Sequence, residues 1–128
     1  MSNAKRPKQV ILVRRDLNMR RASLAAMIAD ASAKFFVDND ESENVDKLSL
    51  NLTQEETEWI TSGSLRVVLG VPSESALRSL TFKAEMAGLQ CYPVMGTQQD
   101  DSQEFYCVAI GPNSSDKIDE ITKNLKLL

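Results

Sequence analysis

The sequence predicts an α/β fold: a three-layer sandwich built on a four-stranded mixed sheet, with elements in the order β-α-α-β-α-β-β-α. Three observations carry this expectation. Val10-Ile-Leu-Val13 is an unbroken run of β-branched and aliphatic residues, the pattern of a central strand covered on both faces. Apolar residues at helical spacing recur between the strand-like runs, so strands alternate with helices. The last two strand-like runs lie close enough to pair as an antiparallel hairpin, whereas the others need crossovers.

Taken in order, residues 1–8 read as a flexible basic N-terminus and residues 9–128 as a single domain. The first strand spans Gln9 to Arg14. From about Arg21 to Phe36 the pattern is helical, with Leu24, Ile28, Ala31 and Phe35 on one side and Ala25, Ala29 and Phe36 widening the apolar arc. Val37 to Leu52 is acidic, asparagine-rich and aperiodic, as in an exposed connection. Thr53-Gln-Glu-Glu56 reads as a capping box that opens a short helix through Trp59 and Ile60, ending near Gly63. Trp59 is expected to anchor the core rather than to stack on a base. Leu65 to Val71 forms a second strand, and Pro72-Ser73 starts a helix through Leu77, Leu80, Ala84 and Ala87 with Gly88 as its C-terminal cap. Gln90 to Val94 is a short strand in which Pro93 implies an edge or irregular position. Met95 to Gln103 reads as a polar loop, and Glu104 to Ile110 as a further strand broken by Gly111-Pro-Asn. Asp116 to Leu125 closes the chain as a helix with Ile118, Ile121 and Leu125 on one face.

A chain of 128 residues is long enough to bury a core, and 42% hydrophobic with 26% charged residues is an ordinary globular balance that argues against a disordered chain. No apolar run approaches the roughly 18 residues that span a bilayer, so a soluble, unexported protein is expected. Cys91 and Cys107 lack CxxC spacing and the chain has no histidine, which speaks against a zinc site or a disulfide framework and for a reduced cytoplasmic protein. No metal and no cofactor are expected, for there is neither a GxGxxG nor a Walker loop. Without histidine there is no Ser-His or Cys-His pair, and catalysis would rest on carboxylates, lysines, hydroxyls or backbone groups.

The net charge of −3 conceals an uneven distribution. Residues 4–21 carry Lys5, Arg6, Lys8, Arg14, Arg15, Arg20 and Arg21 against Asp16. Residues 38–58 carry Asp38, Asp40, Glu41, Glu43, Asp46, Glu55, Glu56 and Glu58 against Lys47. A basic end attracts phosphate through its local field even on an acidic chain, although ordinary solvated surface has the same composition. The first strand runs into paired arginines and then an alanine-rich helix, the natural place for a binding site. At 100° per residue, Ser23, Met27, Asp30 and Lys34 fall together opposite the apolar arc, near the mouth of the strand–helix turn. The alternative is a solvated face with Asp30 and Lys34 as an i,i+4 pair worth roughly a few tenths of a kcal/mol.

Val10-Ile-Leu-Val-Arg14, Asp16-Leu-Asn-Met19 with Arg20-Arg21, then Leu24-Ala-Ala26 and Ala31 are similar to the opening of the type-2 peptidyl-tRNA hydrolases. Val67-Val-Leu-Gly-Val71, Ser73-Glu74, Lys83-Ala84, Gly88-Leu89, Ala109-Ile-Gly-Pro112, Ile118-Asp-Glu-Ile-Thr122 and Leu125-Lys-Leu-Leu128 resemble that family's second half, in register. The resemblance covers nearly the whole domain, and its specificity comes from several separated motifs in one order. It implies cleavage of the ester joining a peptide to the terminal ribose of tRNA, which recycles stalled tRNA in the cytoplasm. It also implies a mixed four-stranded α/β sandwich and a homodimer, without a membrane.

The signature positions differ. Where the family has Gly-Lys at the helix entrance, this chain has Ala22-Ser23. Where the family continues Gln-x-x-His-Ala, it has Met27-Ile-Ala-Asp30-Ala31, a carboxylate in place of the histidine. The family's Asp-Ala-Gly-x-Thr loop and following Pro-Gly-Thr correspond to Met95-Gly-Thr-Gln-Gln-Asp-Asp-Ser-Gln103, with the family's aspartate aligned on Gly96. Ester hydrolysis needs a group that orients or deprotonates water and donors aimed at the developing oxyanion. Under the resemblance the catalytic candidates are Asp30, Thr97, Asp100 and Asp101, and the substrate-binding candidates are Arg14, Arg20, Arg21 and Ser23. Set against this enzyme is a catalytically degenerate member that binds RNA or a protein, which Ser23, Met27 and Gly96 favour. A third reading is a pocket for another small acyl or amide substrate.

Overall fold

The computed structural model of the chain describes residues 6–97 and 103–128. Its elements are β1 (Lys8–Arg14), α1 (Arg21–Asp38), α2 (Gln54–Thr61), β2 (Arg66–Val71), α3 (Glu74–Met86), β3 (Cys91–Thr97), β4 (Gln103–Asn113), α4 (Ser115–Thr122) and β5 (Lys126–Leu127). The sheet is mixed, in the order β3-β4-β1-β2-β5. β1 pairs in parallel with β2 and antiparallel with β4, while β3 pairs antiparallel with β4.

The apolar run of β1 behaves as its composition demands. Val10 through Val13 are all fully buried. Val10 and Leu12 join a core cluster with Leu77 and Ala84 of α3 and Ile118 of α4, whereas Ile11 and Val13 join a second with Met27, Ala31 and Phe35 of α1 and Trp59 of α2. Successive side chains of a strand point to opposite faces, so one run feeds both clusters. The crossover that follows β1 packs on one side and that following β2 on the other. Between the carboxyl ends of these two adjacent parallel strands the chain therefore diverges, which in open α/β sheets is where ligand crevices form.

The sheet has five strands, not the expected four. The closing helix stops at Thr122 rather than Leu125, Leu125 N–H bonds back to Thr122 O at 2.9 Å, and the chain returns as β5 to pair Leu69 with Leu127 and Gly70 with Lys126. This covers the backbone groups that β2 would otherwise leave open along an edge. Two residues carry no periodicity, so the strand has no sequence signature. The expected break at Gly111-Pro-Asn also does not occur, for β4 continues to Asn113, which pairs with Lys8 across a register shift. Gly111 makes this bend at φ +89°, a conformation that side chains disfavour.

Other local expectations hold. Thr53 and Glu56 form the capping box of α2, and Trp59 is fully buried with its indole N–H donated to Leu65 O at 2.8 Å. Gly88 ends α3, its N–H bonding to Glu85 O and that of Leu89 to Ala84 O. β3, with Pro93, is an edge strand, although it runs on to Thr97, so the expected loop from Met95 is shorter. The long connection folds around Asp40, whose carboxylate accepts the N–H groups of Ser42 and Ser49, both at 2.9 Å.

Candidate functional site

The turn after β1 separates its arginines by role. The Arg14 guanidinium is engaged on three sides: both carboxylate oxygens of Asp16 at 2.9 Å, Glu104 at 3.1 Å and the carbonyl of Phe105 at 3.1 Å. The bond to Asp16, and secondarily that to Glu104, raises the Arg14 pKa further against the opposing effect of burial; reciprocally, Asp16 is held below the usual carboxylate range. Arg15 donates its N–H to Val71 O at 2.7 Å, tying the turn to the end of β2, and its guanidinium reaches Leu127 O. Arg20 and Arg21 are exposed, and among the described residues neither side chain has a hydrogen-bond or ion-pair partner.

These two arginines flank the start of α1. Arg20 occupies the N-cap in extended conformation without a side-chain cap, and the first turn of this 18-residue helix holds no acidic residue. Leu24 N–H is the first to bond back, to Arg20 O at 2.9 Å, so the N–H groups of Arg21, Ala22 and Ser23 have no intrahelical acceptor. Exposed N–H groups, the positive end of the helix dipole and two guanidinium groups without partners among the described residues together suit an anion. Ser23, exposed in the same turn, adds a hydroxyl.

Further along α1, the expected polar stripe is only partly solvent-facing. Met27 is buried at 6% exposure and belongs to the core. The stripe lies beside the apolar arc rather than opposite it, with Met27 about 60° from Leu24 at 100° per residue, and a long unbranched side chain reaches inward from there. Asp30 and Lys34 do line a groove of about 370 Å³, completed by Ala33, Val37 and Asp38 of α1 and by Val94 and Met95 of β3. Asp30 is exposed and makes no hydrogen bond or ion pair among the described residues, so the i,i+4 pair with Lys34 does not form. Thr97 ends β3, two residues beyond Met95. Asp100 and Asp101 lie outside the described residues. The structure thus brings Asp30 together with Val94 and Met95 of β3 in one groove and leaves the two loop aspartates unassigned.

Just before Gly96, between Val94 and Met95, the strand register changes. Val94 pairs with Cys107 but Met95 pairs with Phe105, which leaves Tyr106 as the extra residue of a β-bulge. Tyr106 and Cys107 consequently pack on the same core cluster, where strict alternation would have separated them. The ring of Tyr106 lies over Gly96, and a Cβ added there would collide with the ring and its hydroxyl. Gly96 is thus roofed by an aromatic side chain. Burial, with a smaller contribution from the Asp30 charge, pushes the Cys107 thiol up to about 12 and keeps it neutral, so it is no nucleophile at neutral pH.

Sequence reasoning missed the clamp that holds the start of β4. Glu74, in the first turn of α3, accepts the Phe105 N–H at 2.9 Å and Arg78 Nε at 3.0 Å; Arg78 sits 4.2 Å over the Phe105 ring and donates to Gln103 O. The Glu74–Arg78 spacing of four is visible in the sequence, but nothing there signals a partner 31 residues away. Tyr106 was equally hidden, because a bulge has no local pattern. The acidic segment gathers at the other end of α1, where Asp38, Asp40, Glu41 and Glu56 line a cavity of about 430 Å³. Among the described residues, no group of three or more potential ligands suited to a metal occurs, and no helix is long and apolar enough to cross a membrane.

The profile of the family described as peptidyl-tRNA hydrolase PTH2 matches residues 7–128. A protein named peptidyl-tRNA hydrolase from Methanothermobacter thermautotrophicus is 35% identical over 123 residues, covering 94% of this chain and 99% of its own. Relatives of the same name from Methanococcus vannielii, 32% identical over 123 residues, and Haloquadratum walsbyi, 34% identical over 122 residues, each cover 94% of this chain and 98% of their own. Among solved structures, a protein of unknown function from Agrobacterium tumefaciens is similar with a TM-score of 0.58 at 13% identity, covering 97% of this chain and 98% of its own, a likeness of fold alone.

Proposed function

The chain belongs to the peptidyl-tRNA hydrolase PTH2 family, and from that premise we propose that it cleaves the ester between a peptide and tRNA. The observation that carries this reading is the uncapped start of α1, flanked by Arg20 and Arg21, which have no partners among the described residues, on the same helix that presents Asp30, likewise without a partner among them, to a groove. Phosphate near the tRNA terminus binds the free N–H groups with Arg20, Arg21 and Ser23, while Arg14 shapes the turn through Asp16 and Glu104. The ester then lies over the helix. Asp30 orients and deprotonates the attacking water, and Thr97 with Asp100 or Asp101 supplies a second polar group for the developing oxyanion. With this reading go a single domain over residues 9–128, three layers formed by helices on both faces of the sheet, a homodimer and a cytoplasmic location.

The purified protein should release tRNA from an N-acetyl-aminoacyl-tRNA. Asp30→Asn should lower kcat by about 10²-fold or more, the usual contribution of a general base, whereas Arg20→Ala and Arg21→Ala should act mainly on KM. Release no faster than in buffer would end the enzyme reading. Unchanged turnover in Asp30→Asn, with loss in Asp100→Asn or Asp101→Asn, would move the base to the loop.

The roofed Gly96 favours a second reading, a member that retains RNA binding without turnover. It predicts salt-sensitive tRNA binding that weakens in Arg20→Ala and Arg21→Ala, with log K falling by about 0.7–0.9 per log salt for each phosphate contact.

A further inference from the structure

The groove beside Asp30 has the architecture of a strand-addition site. Its one wall is α1, presenting Ala33, Lys34 and Val37, and its other is β3, presenting Val94 and Met95. β3 ends the sheet, and no strand among the described residues pairs along its outer side, whereas the opposite end of the sheet is closed by β5. Pro93 has no N–H to donate to β4, so the residues in phase with it, Met95 and Thr97, turn their backbone groups outward. Beside these groups the apolar side chains are open: Val37 is 65% and Met95 48% exposed.

From this juxtaposition we infer that the groove binds the peptide portion of the substrate as an extended strand added to β3, an apolar side chain lying between Ala33, Val37 and Met95. Edge strands flanked by a helix take extended peptides in this way, main-chain hydrogen bonds supplying affinity and the groove supplying selection. The inference rests on the peptidyl-tRNA reading for its occupant. Asp30, at the near end of the groove, is nine residues along α1 from Arg21, about 13 Å at the helical rise, so a phosphate held at Arg20 and Arg21 directs the acyl chain toward it. A second copy pairing edge to edge is a poorer occupant, because each strand would contribute Pro93 and bring Asp30 and Asp38 against their own counterparts.

Two measurements test this on the intact protein. An N-acetylated alanine–valine pentapeptide amide should slow hydrogen exchange at the Met95 and Thr97 amides. KM for an N-acetyl-pentapeptidyl-tRNA should lie about tenfold below that for N-acetyl-alanyl-tRNA, the gain of one or two added backbone hydrogen bonds, and Ala33→Trp or Val37→Asp should bring that ratio toward one. Peptide protection in a protein that cleaves neither substrate would sustain the groove and remove the hydrolase reading. Equal KM for both substrates, with no protection, would overturn the groove and leave the hydrolase reading intact. Protection that rises with protein concentration in the absence of peptide would assign the edge to a second copy and overturn the proposal.

Discussion

Gly96 and Tyr106 are bound to each other by contact across the β3–β4 pair. No side chain can be placed at position 96 by substitution alone, because the Tyr106 ring occupies the space that its Cβ needs. Gly96→Ala is expected to destabilise the native protein, and Tyr106→Ala to relieve most of that loss. A double-mutant cycle in urea reads the coupling, for which contacting residues give about 0.5–3 kcal/mol. Additive losses would mean that the ring moves aside without cost. The same scale shows why neighbouring arginines of one charge have different uses: Arg14 is consumed by Asp16 and Glu104, while Arg20 and Arg21 have no such partners among the described residues. A count of basic residues sees them alike.

Among the elements, β4 holds the molecule together, pairing with both β1 and β3 and continuing past a glycine and a proline. Its continuity depends on Gly111, at φ +89°, where a Cβ would lie 2.9 Å from Asn113 N and 3.0 Å from Lys8 O. Gly111→Ala should therefore lower stability by about 1–3 kcal/mol, the cost of a strained backbone position, measured as a fall in the urea midpoint at unchanged m. A change below 0.5 kcal/mol, the range of ordinary surface substitutions, would show that the bend does not need glycine. α1 was legible in its start and in all but its last two residues, Val37 and Asp38, since the alanine-rich run and its spacing depend on local propensity. Its rotation was not, because the sheet decides whether Met27 or Ala25 turns inward, and Ala25 is the exposed one.

For the molecule as a whole, three carboxylates are held by hydrogen bonds to the charged form, Asp16 and Asp40 within local turns and Glu74 across 31 residues. Glu74 is held below its usual range by the Phe105 N–H and then Arg78, Asp16 by Arg14, and Asp40 by the N–H groups of Ser49 and Ser42. Each folded-state pKa lies below its unfolded value. Their stabilisation is thus fully present above the unfolded values near about pH 4 and disappears as pH falls through the folded ones. Tm should stay level from neutral pH to about pH 5 and fall steeply below about pH 4, and Glu74→Gln should flatten that acid limb. An identical limb in Glu74→Gln would assign the acid sensitivity to other groups.

The sequence by itself determined the class of fold, the family, the central strand, the caps of α2 and α3, and the basic turn that opens α1. All of these rest on patterns within some ten residues, or on several such patterns in one order. Only the tertiary structure decided that Arg14 is engaged while Arg20 has no partner among the described residues, that Tyr106 covers Gly96, that β5 pairs with β2 and that Asp30 shares a groove with the edge strand β3. Those facts depend on which residues meet across tens of positions, through strand register, a bulge and the packing of helices on the sheet, and the energies that select them are absent from any local stretch of chain.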